Sequence, residues 1–357
     1  VLPRSFNAAT ERVEVLKGPA STLYGILDPG GLINVITKRP ERQFSGSVSG
    51  TSTSFGGGTG SFDVTGPIEG TNLAYRLIGE YQNEDYWRNF GKNKSSFIAP
   101  SLTWFGERAT VTASYSHRDY SAPFDRGTIF DLNTGHAVNV DRKTRFDEAF
   151  NITDGQSDLA QLNAEYRLND AWTARFDYSY SQDHYNDNQA RVMAYDSATG
   201  NLTRRVDGTH GSTQKMHSTR ADLQGNVVVG GFYNELLTGV AYENYDLLRT
   251  DMLRCKNVKG FNIYHPVYGT LDTCNTVSAS DSDQRIQQES YAAYVQDALY
   301  LTDNWIAVAG VRYQYYTQYA GKGRPFNVNT DSRDEKWTPK AGLVYKLTPS
   351  VSLFGNV

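Results

Sequence analysis

Trp172-Thr173-Ala174-Arg175-Phe176-Asp177-Tyr178-Ser179-Tyr180-Ser181 alternates without a break, with rings and Ala at the even positions and Thr, Arg, Asp and Ser at the odd ones. In a strand successive side chains point to opposite faces, so one face of this stretch is apolar and the other charged. The preceding segment repeats the pattern, with Ala160, Leu162, Ala164, Tyr166 and Leu168 set against Gln161, Asn163, Glu165 and Arg167. Further copies are Leu73, Tyr75, Leu77 and Tyr81 against Arg76 and Glu80, Ala109 to Tyr115 against Thr110, Thr112 and Ser114, and Pro339 to Leu347 against Lys340 and Lys346. One such segment reads as half of a solvated antiparallel sheet in a sandwich.

The connections change that reading. Very short turns fall at Glu69 to Asn72, Gly106-Glu107, Asn169-Asp170, Gly230-Gly231, Thr302 to Asn304 and Thr348-Pro349. The intervening connections read as long: about 10 residues from Asp85 to Lys94, about 35 from Arg118 to Gly155, about 25 from Asp187 to Ser212, about 35 from Thr250 to Arg285 and about 15 from Ala320 to Lys336. Alternation of short and long puts all turns at one end and all loops at the other, the asymmetry of an outer-membrane barrel. The fold class expected is therefore all-β, a transmembrane antiparallel barrel with about twelve strands and the start of a thirteenth at Ser350. Its apolar face meets lipid, and Arg76, Glu80, Glu165, Arg167, Arg175, Asp177, Arg220 and Asp222 line a lumen that holds water or a polar plug.

Composition agrees. Only 39% of the 357 residues are hydrophobic, too few for a well-filled soluble core of that length, while 24 Tyr and 32 Gly against 3 Met favour strands and turns over helices. The mean hydropathy of -0.55, with no stretch of about 18 apolar residues, excludes a transmembrane helix and leaves a barrel open. A formal charge of -4 makes nucleic acid an unsuitable partner. Residues 1–40 read differently, as two short strands around a turn-rich unit with too few apolar residues for a core of its own, so they must pack on something else. With no signal-like start and an end inside a strand, the chain reads as an internal portion of a longer protein.

The run Glu11-Arg12-Val13-Glu14-Val15-Leu16-Lys17-Gly18-Pro19-Ala20-Ser21-Thr22-Leu23-Tyr24-Gly25, continued by Pro29-Gly30-Gly31-Leu32-Ile33-Asn34-Val35-Ile36-Thr37-Lys38-Arg39-Pro40, closely resembles the end of the plug domain of TonB-dependent siderophore receptors. Asn262 to Gly269, and Tyr294-Val295-Gln296-Asp297 with Gly310-Val311-Arg312-Tyr313, resemble marks of the ferric-hydroxamate receptors. The resemblance covers the whole chain and implies a 22-stranded barrel, with residues 1–42 the C-terminal part of the plug and 43–357 the first part of the barrel. It implies an outer-membrane receptor that is not an enzyme, binds a ferric siderophore and is energised by TonB and its inner-membrane complex. No cofactor and no directly bound metal are expected beyond the Fe3+ of the chelate. The other expected partners are outer-membrane lipid and lipopolysaccharide, with the receptor a monomer.

Loop composition bears on the ligand. Arg118, Arg126, Arg142, Lys143 and Arg145 of the first long loop are cancelled by Asp119, Asp125, Asp131, Asp141, Asp147 and Glu148, which favours a near-neutral hydroxamate over an anionic tris-catecholate. Candidate ligand contacts are Phe124, Arg126, Tyr185, Tyr195, Tyr264 and Tyr268, each with loop packing or an interfacial aromatic girdle as the alternative. Phe6 is the ring nearest the place, just before Glu11-Arg12, where hydroxamate receptors carry an aromatic at the plug apex; Ala8 and Ala9 depart from that pattern. Tyr24 reads as buried in the plug, and Arg12 and Glu14 as members of a plug–barrel ionic network. Cys255 and Cys274, 19 positions apart in one loop of a cell-surface protein, read as a disulfide contributing about 3 kcal/mol on the chain-entropy model, the alternative of a metal pair lacking nearby ligands beyond His265.

Other chemistries fit less well. Gly56 to Gly60 precedes a strand-like segment instead of the helix a phosphate loop needs, and reads as a hairpin turn. The histidines lack zinc-site spacing, and no G-x-S-x-G elbow occurs. A porin would have no plug, and a barrel lipase or protease needs a constellation that nothing singles out. A catecholate, mixed-type or haem ligand is the alternative within the family, the last resting on His265 beside Tyr264.

Overall fold

The computed structural model describes residues 7–17 and 31–356. Phe6 and Tyr24 lie outside the described residues. Strands β1 (Thr10–Lys17) and β2 (Gly31–Thr37) form an antiparallel hairpin. The rest is one large sheet of β3 (Ser45–Ser52), β4 (Gly57–Pro67), β5 (Leu73–Asp85), β6 (Lys92–Phe105), β7 (Ala109–Pro123), β8 (Ile152–Arg167), β9 (Trp172–Asp196), β10 (Asn201–Val229), β11 (Phe232–Arg254), β12 (Val258–Asn262), β13 (Gln284–Tyr300), β14 (Trp305–Lys322), β15 (Asn327–Thr348) and β16 (Val351–Asn356). Each strand pairs antiparallel with the next, except that β12 pairs β10 beyond the end of β11. No helix occurs among the described residues.

The thirteen strands of the main path match the expected twelve and the start of another. The short turns fall where Gly, Asn and Asp place them, as in the two-residue Gly230-Gly231 connection, where both glycines have positive φ. The opposite end differs from expectation. The segment Asp187–Ser212 is a hairpin extension, with β9 and β10 running 25 and 29 residues to a turn at 197–200. Residues 320–336 likewise continue β14 and β15 around a turn at 323–326. A strand of about 10 residues crosses the hydrocarbon layer, so the remainder of these strands stands above it as wall. Among the described residues, only the β7–β8 connection (124–151) and the segment between β11 and β13 carry long irregular stretches.

Period-2 faces are kept across the sheet. Phe176, Leu162, Val240, Val295 and Leu343 stand 37–56% exposed on one face, with Trp305 against Tyr345 (4.5 Å) near the short turns and Tyr313 against Trp337 (4.9 Å) further up. Apolar exposure on that scale between two aromatic belts belongs to a lipid-facing surface. The opposite face is wired by charge: Arg175 donates to Glu165 at 3.0 Å, Asn163 to Asp177 at 2.6 Å and Arg220 to Asp222 at 2.7 Å.

The β1–β2 end packs on that charged face. Ala9 sits against Ile78 and Phe97, and the Ala8 amide donates to Glu80 Oε2 at 2.9 Å. Lys38 Nζ and both Arg76 Nε and Nη2 reach Asp63 at 2.8 Å, while Arg76 Nη1 also takes the Arg39 carbonyl and Glu41. Arg12 and Glu14, expected in a plug–barrel ionic network, bond to each other at 2.8 Å among the described residues, both exposed on the hairpin, with Glu11 and the half-buried Asn34 beside them. Among the described residues the ionic contact between this end and the sheet is made by Lys38, Asp63 and Arg76.

Candidate ligand-binding site at the loop end

The 124–151 connection and the segment after β11 fold into a compact head against the upper parts of β9, β10 and β12. Phe146, Leu202, Phe261 and Ile263 form one buried cluster, and Ala190, Val206, Leu253 and Cys274 another. Burying each large side chain contributes about 1.5–3 kcal/mol. Two asparagines extend the ladder where strand pairing stops. Asn151 accepts from the Ala190 amide at 2.7 Å and donates to its carbonyl at 3.0 Å, and Asn188 does the same for Cys274 at 2.8 and 3.3 Å.

Buried charges lock the head. Arg204 donates to Glu148 at 2.7 Å, and the other Glu148 oxygen accepts the Gly269 amide at 2.6 Å. Arg145 donates to Asp147 at 2.8 Å and stacks on Phe90 at 4.6 Å; Arg88 pairs with Asp125 and donates to the Thr144 carbonyl. Burial raises the Asp147 carboxyl above the usual range despite Arg145, and lowers the Arg204 guanidinium. The disulfide is formed, Cys255 to Cys274, with Cα atoms 5.7 Å apart.

A second cluster occupies the β9 face that carries Arg175 and Asp177 lower down. Arg126 Nη2 donates to Gln189 Oε1 at 2.5 Å, and Gln189 donates to Asp187 at 2.6 Å. Arg191 reaches Asp207 at 3.2 Å, which also takes two bonds from Arg205 at 2.7 and 2.9 Å. The Arg126 guanidinium lies 5.0 Å over the Phe124 ring.

The residues read from sequence thus separate. Phe124, Arg126 and Tyr185 come to the inner wall, Tyr185 pairing with Ser212 one step below this cluster. Tyr195 and Tyr264 sit at the tip, where Tyr264 is 53% exposed and its ring lies 2.7 Å from where a Cβ on Gly200 would stand. Gly200 has φ 74°, so both the turn and the ring require glycine there. Tyr268 is taken up by packing: it donates to the Arg145 carbonyl at 2.9 Å and lies edge-on to Phe90 at 5.0 Å and Phe261 at 5.6 Å. The sequence reading missed Gln189, Arg191, Arg205 and Asp207. Their odd numbering continues the Arg175, Asp177 series of β9 or faces it from β10, a signal hidden by reading Asp187–Ser212 as a loop.

The family described as TonB dependent receptor-like, beta-barrel matches residues 96–357. The chain is 28% identical over 361 residues to the metal-pseudopaline receptor CntO of Pseudomonas aeruginosa, covering 98% of this chain and 50% of that one. It is also 28% identical over 323 residues to the ferrioxamine B receptor of Salmonella typhimurium, covering 85% and 43%. The crystal structure of the ferric-catecholate import receptor Fiu from Escherichia coli in its open form superposes with a TM-score of 0.84 at 22% identity, covering 98% of this chain and 59% of that one, a likeness of fold. The chain spans about half the length of the curated relatives it matches.

Proposed function

The chain belongs to the TonB-dependent receptor β-barrel family, and from that premise we propose that the whole protein is an outer-membrane receptor and active transporter for a ferric siderophore, energised through TonB. The observation that carries the reading is the seating of Ala9 on Ile78 and Phe97, with Lys38 on Asp63, along the charged face of the wall. A stoppered lumen has no use in passive diffusion and needs an outside energy source to open. In this reading residues 1–42 are the late plug and 43–357 the first part of the barrel, and the receptor works as a monomer among outer-membrane lipid and lipopolysaccharide.

The ligand we propose is a ferric hydroxamate. Arg88, Arg145 and Arg204 are each spent on a carboxylate inside the head. None of these three is free to meet a tris-catecholate, which carries several negative charges. Phe124, Tyr185, Tyr195 and Tyr264 offer ring surface to a compact hydroxamate chelate. Titrating full-length protein with ferrichrome, ferrioxamine and a ferric catecholate, followed by quenching of Trp and Tyr emission, tests this. Quenching by the hydroxamates supports the reading; quenching by the catecholate alone overturns the substrate class.

A further inference from the structure

The inner-wall cluster holds its positive charge unevenly. Arg126 bonds a neutral amide, Gln189, and has no carboxylate within ion-pair reach among the described residues. Arg191 shares Asp207 with Arg205, so one carboxylate serves two guanidinium groups, and Arg191 Nε is buried without a partner. Asp187 also lies near, but its carboxylate accepts from Gln189 and burial favours its neutral form. Two half-satisfied guanidinium groups that line the same cavity define a place where an anion lowers the energy of both.

Beside them opens a cavity of about 280 Å3, lined on its apolar side by Ile129, Phe146, Ala190 and Val192. Asp147 also reaches this lining, and its charge is matched by Arg145. The volume lies below the range of about 300–1,000 Å3 that encloses a whole drug-sized ligand, so it suits one arm of a chelate and not its metal core. Arg126 stands at the mouth, exposed, with Phe124 beneath its plane. A planar, forked donor over a ring is preorganised for bidentate contact with a carboxylate.

We propose that Arg126, Arg191 and the adjoining cavity select a hydroxamate chelate that carries a free carboxylate arm. The proposal rests on the siderophore-receptor reading and narrows its substrate class. The arm enters the cavity with its methylenes on Phe146 and Val192, and its carboxylate exchanges water for the two guanidinium groups.

The test compares ferric aerobactin, a citrate-bridged dihydroxamate with free carboxylates, with neutral ferrichrome, by fluorescence titration of the full-length protein in detergent. Wild type is expected to bind the carboxylate-bearing chelate at least tenfold more tightly. Arg126→Gln and Arg191→Gln are each expected to lose at least tenfold for ferric aerobactin while staying within twofold for ferrichrome, and Arg126→Lys, which keeps the charge but loses the fork, to lose about three- to tenfold for ferric aerobactin alone. Equal affinity of wild type for the two chelates, or an equal loss for both in the Gln variants, overturns the carboxylate assignment and leaves the receptor reading standing. Failure of wild type to bind either of them or a ferric catecholate overturns the receptor reading itself.

Discussion

Glu148 and Arg204 face each other at 2.7 Å with only 2% and 3% of their side chains open to solvent, joining residues 56 positions apart in the chain. The second Glu148 oxygen is bonded to the Gly269 amide, so a single carboxylate ties the 124–151 connection both to β10 and to the segment after β11. Removing it leaves a buried, unpaired guanidinium. Glu148→Ala is expected to cost about 3–5 kcal/mol of head stability, the cost typical of breaking one side of a buried pair. Faster hydrogen exchange of the Phe146–Asn151 amides, with β13–β15 unchanged, checks this. Exchange no faster than wild type refutes the lock.

The Cys255–Cys274 bridge closes the segment that carries β12, and Asn188 clasps Cys274 from β9. Paired Cys255→Ser and Cys274→Ser changes are expected to lower the stability of this segment by about 3 kcal/mol. Cleavage by trypsin at Lys256 and Lys259 reads the loss directly. Unaltered cleavage removes the bridge from the list of what holds the head.

Tyr264 and Tyr268, four positions apart, have different surroundings. Tyr268→Phe loses one hydrogen bond to the Arg145 carbonyl, about 0.5–1.5 kcal/mol of head stability, and leaves hydroxamate affinity unchanged. Tyr264→Ala, at an exposed ring, is expected to weaken ferric hydroxamate binding by about 1–3 kcal/mol with head stability intact. The two effects are separated by measuring thermal unfolding and chelate titration on each variant.

The pH response of the head follows from two carboxylates shifted in opposite directions. Asp281 is held below its ordinary 3.8, first by the Ser278 hydroxyl and then by Lys322 and Arg254. Its contribution is therefore present above about pH 3.8 and lost only as pH falls through the lower folded value. Asp147 is shifted up by burial, so its charged form is disfavoured in the folded head and its contribution to stability improves as pH falls toward 3.8. Exchange of the 278–283 amides is expected to stay slow down to pH 4 and quicken below it, and Asp281→Asn to abolish that step. A step already complete at pH 6 contradicts the assignment.

Asp63 joins the hairpin to the wall through Lys38 and Arg76. Asp63→Asn is expected to loosen the stopper, read as raised conductance of the full-length receptor in planar bilayers. Conductance equal to wild type places the hold elsewhere.

The wall was legible in the linear sequence because its rule is local. Trp172 to Ser181 and Ala160 to Leu168 declare two faces through a period of two, and Gly230-Gly231 or Asn169-Asp170 end a strand through their own backbone preferences. The same rule ran on through Asp187, Gln189 and Arg191, where polar residues on both faces hide the alternation once no lipid demands apolar partners. The head escaped for a different reason. Glu148 with Arg204, Arg126 with Gln189 and Asn188 with Cys274 meet across 56 to 86 positions, and which carboxylate takes which guanidinium is decided only when strand register brings them together. Sequence alone determined the two-faced strands and the tight turns and pointed to the pairing of the two cysteines, since each follows from neighbours along the chain or from there being no other thiol among these 357 residues. Only the folded chain decided which of the aromatic and basic residues are packed away and which face the opening, because burial is a property of the surroundings and not of the residue.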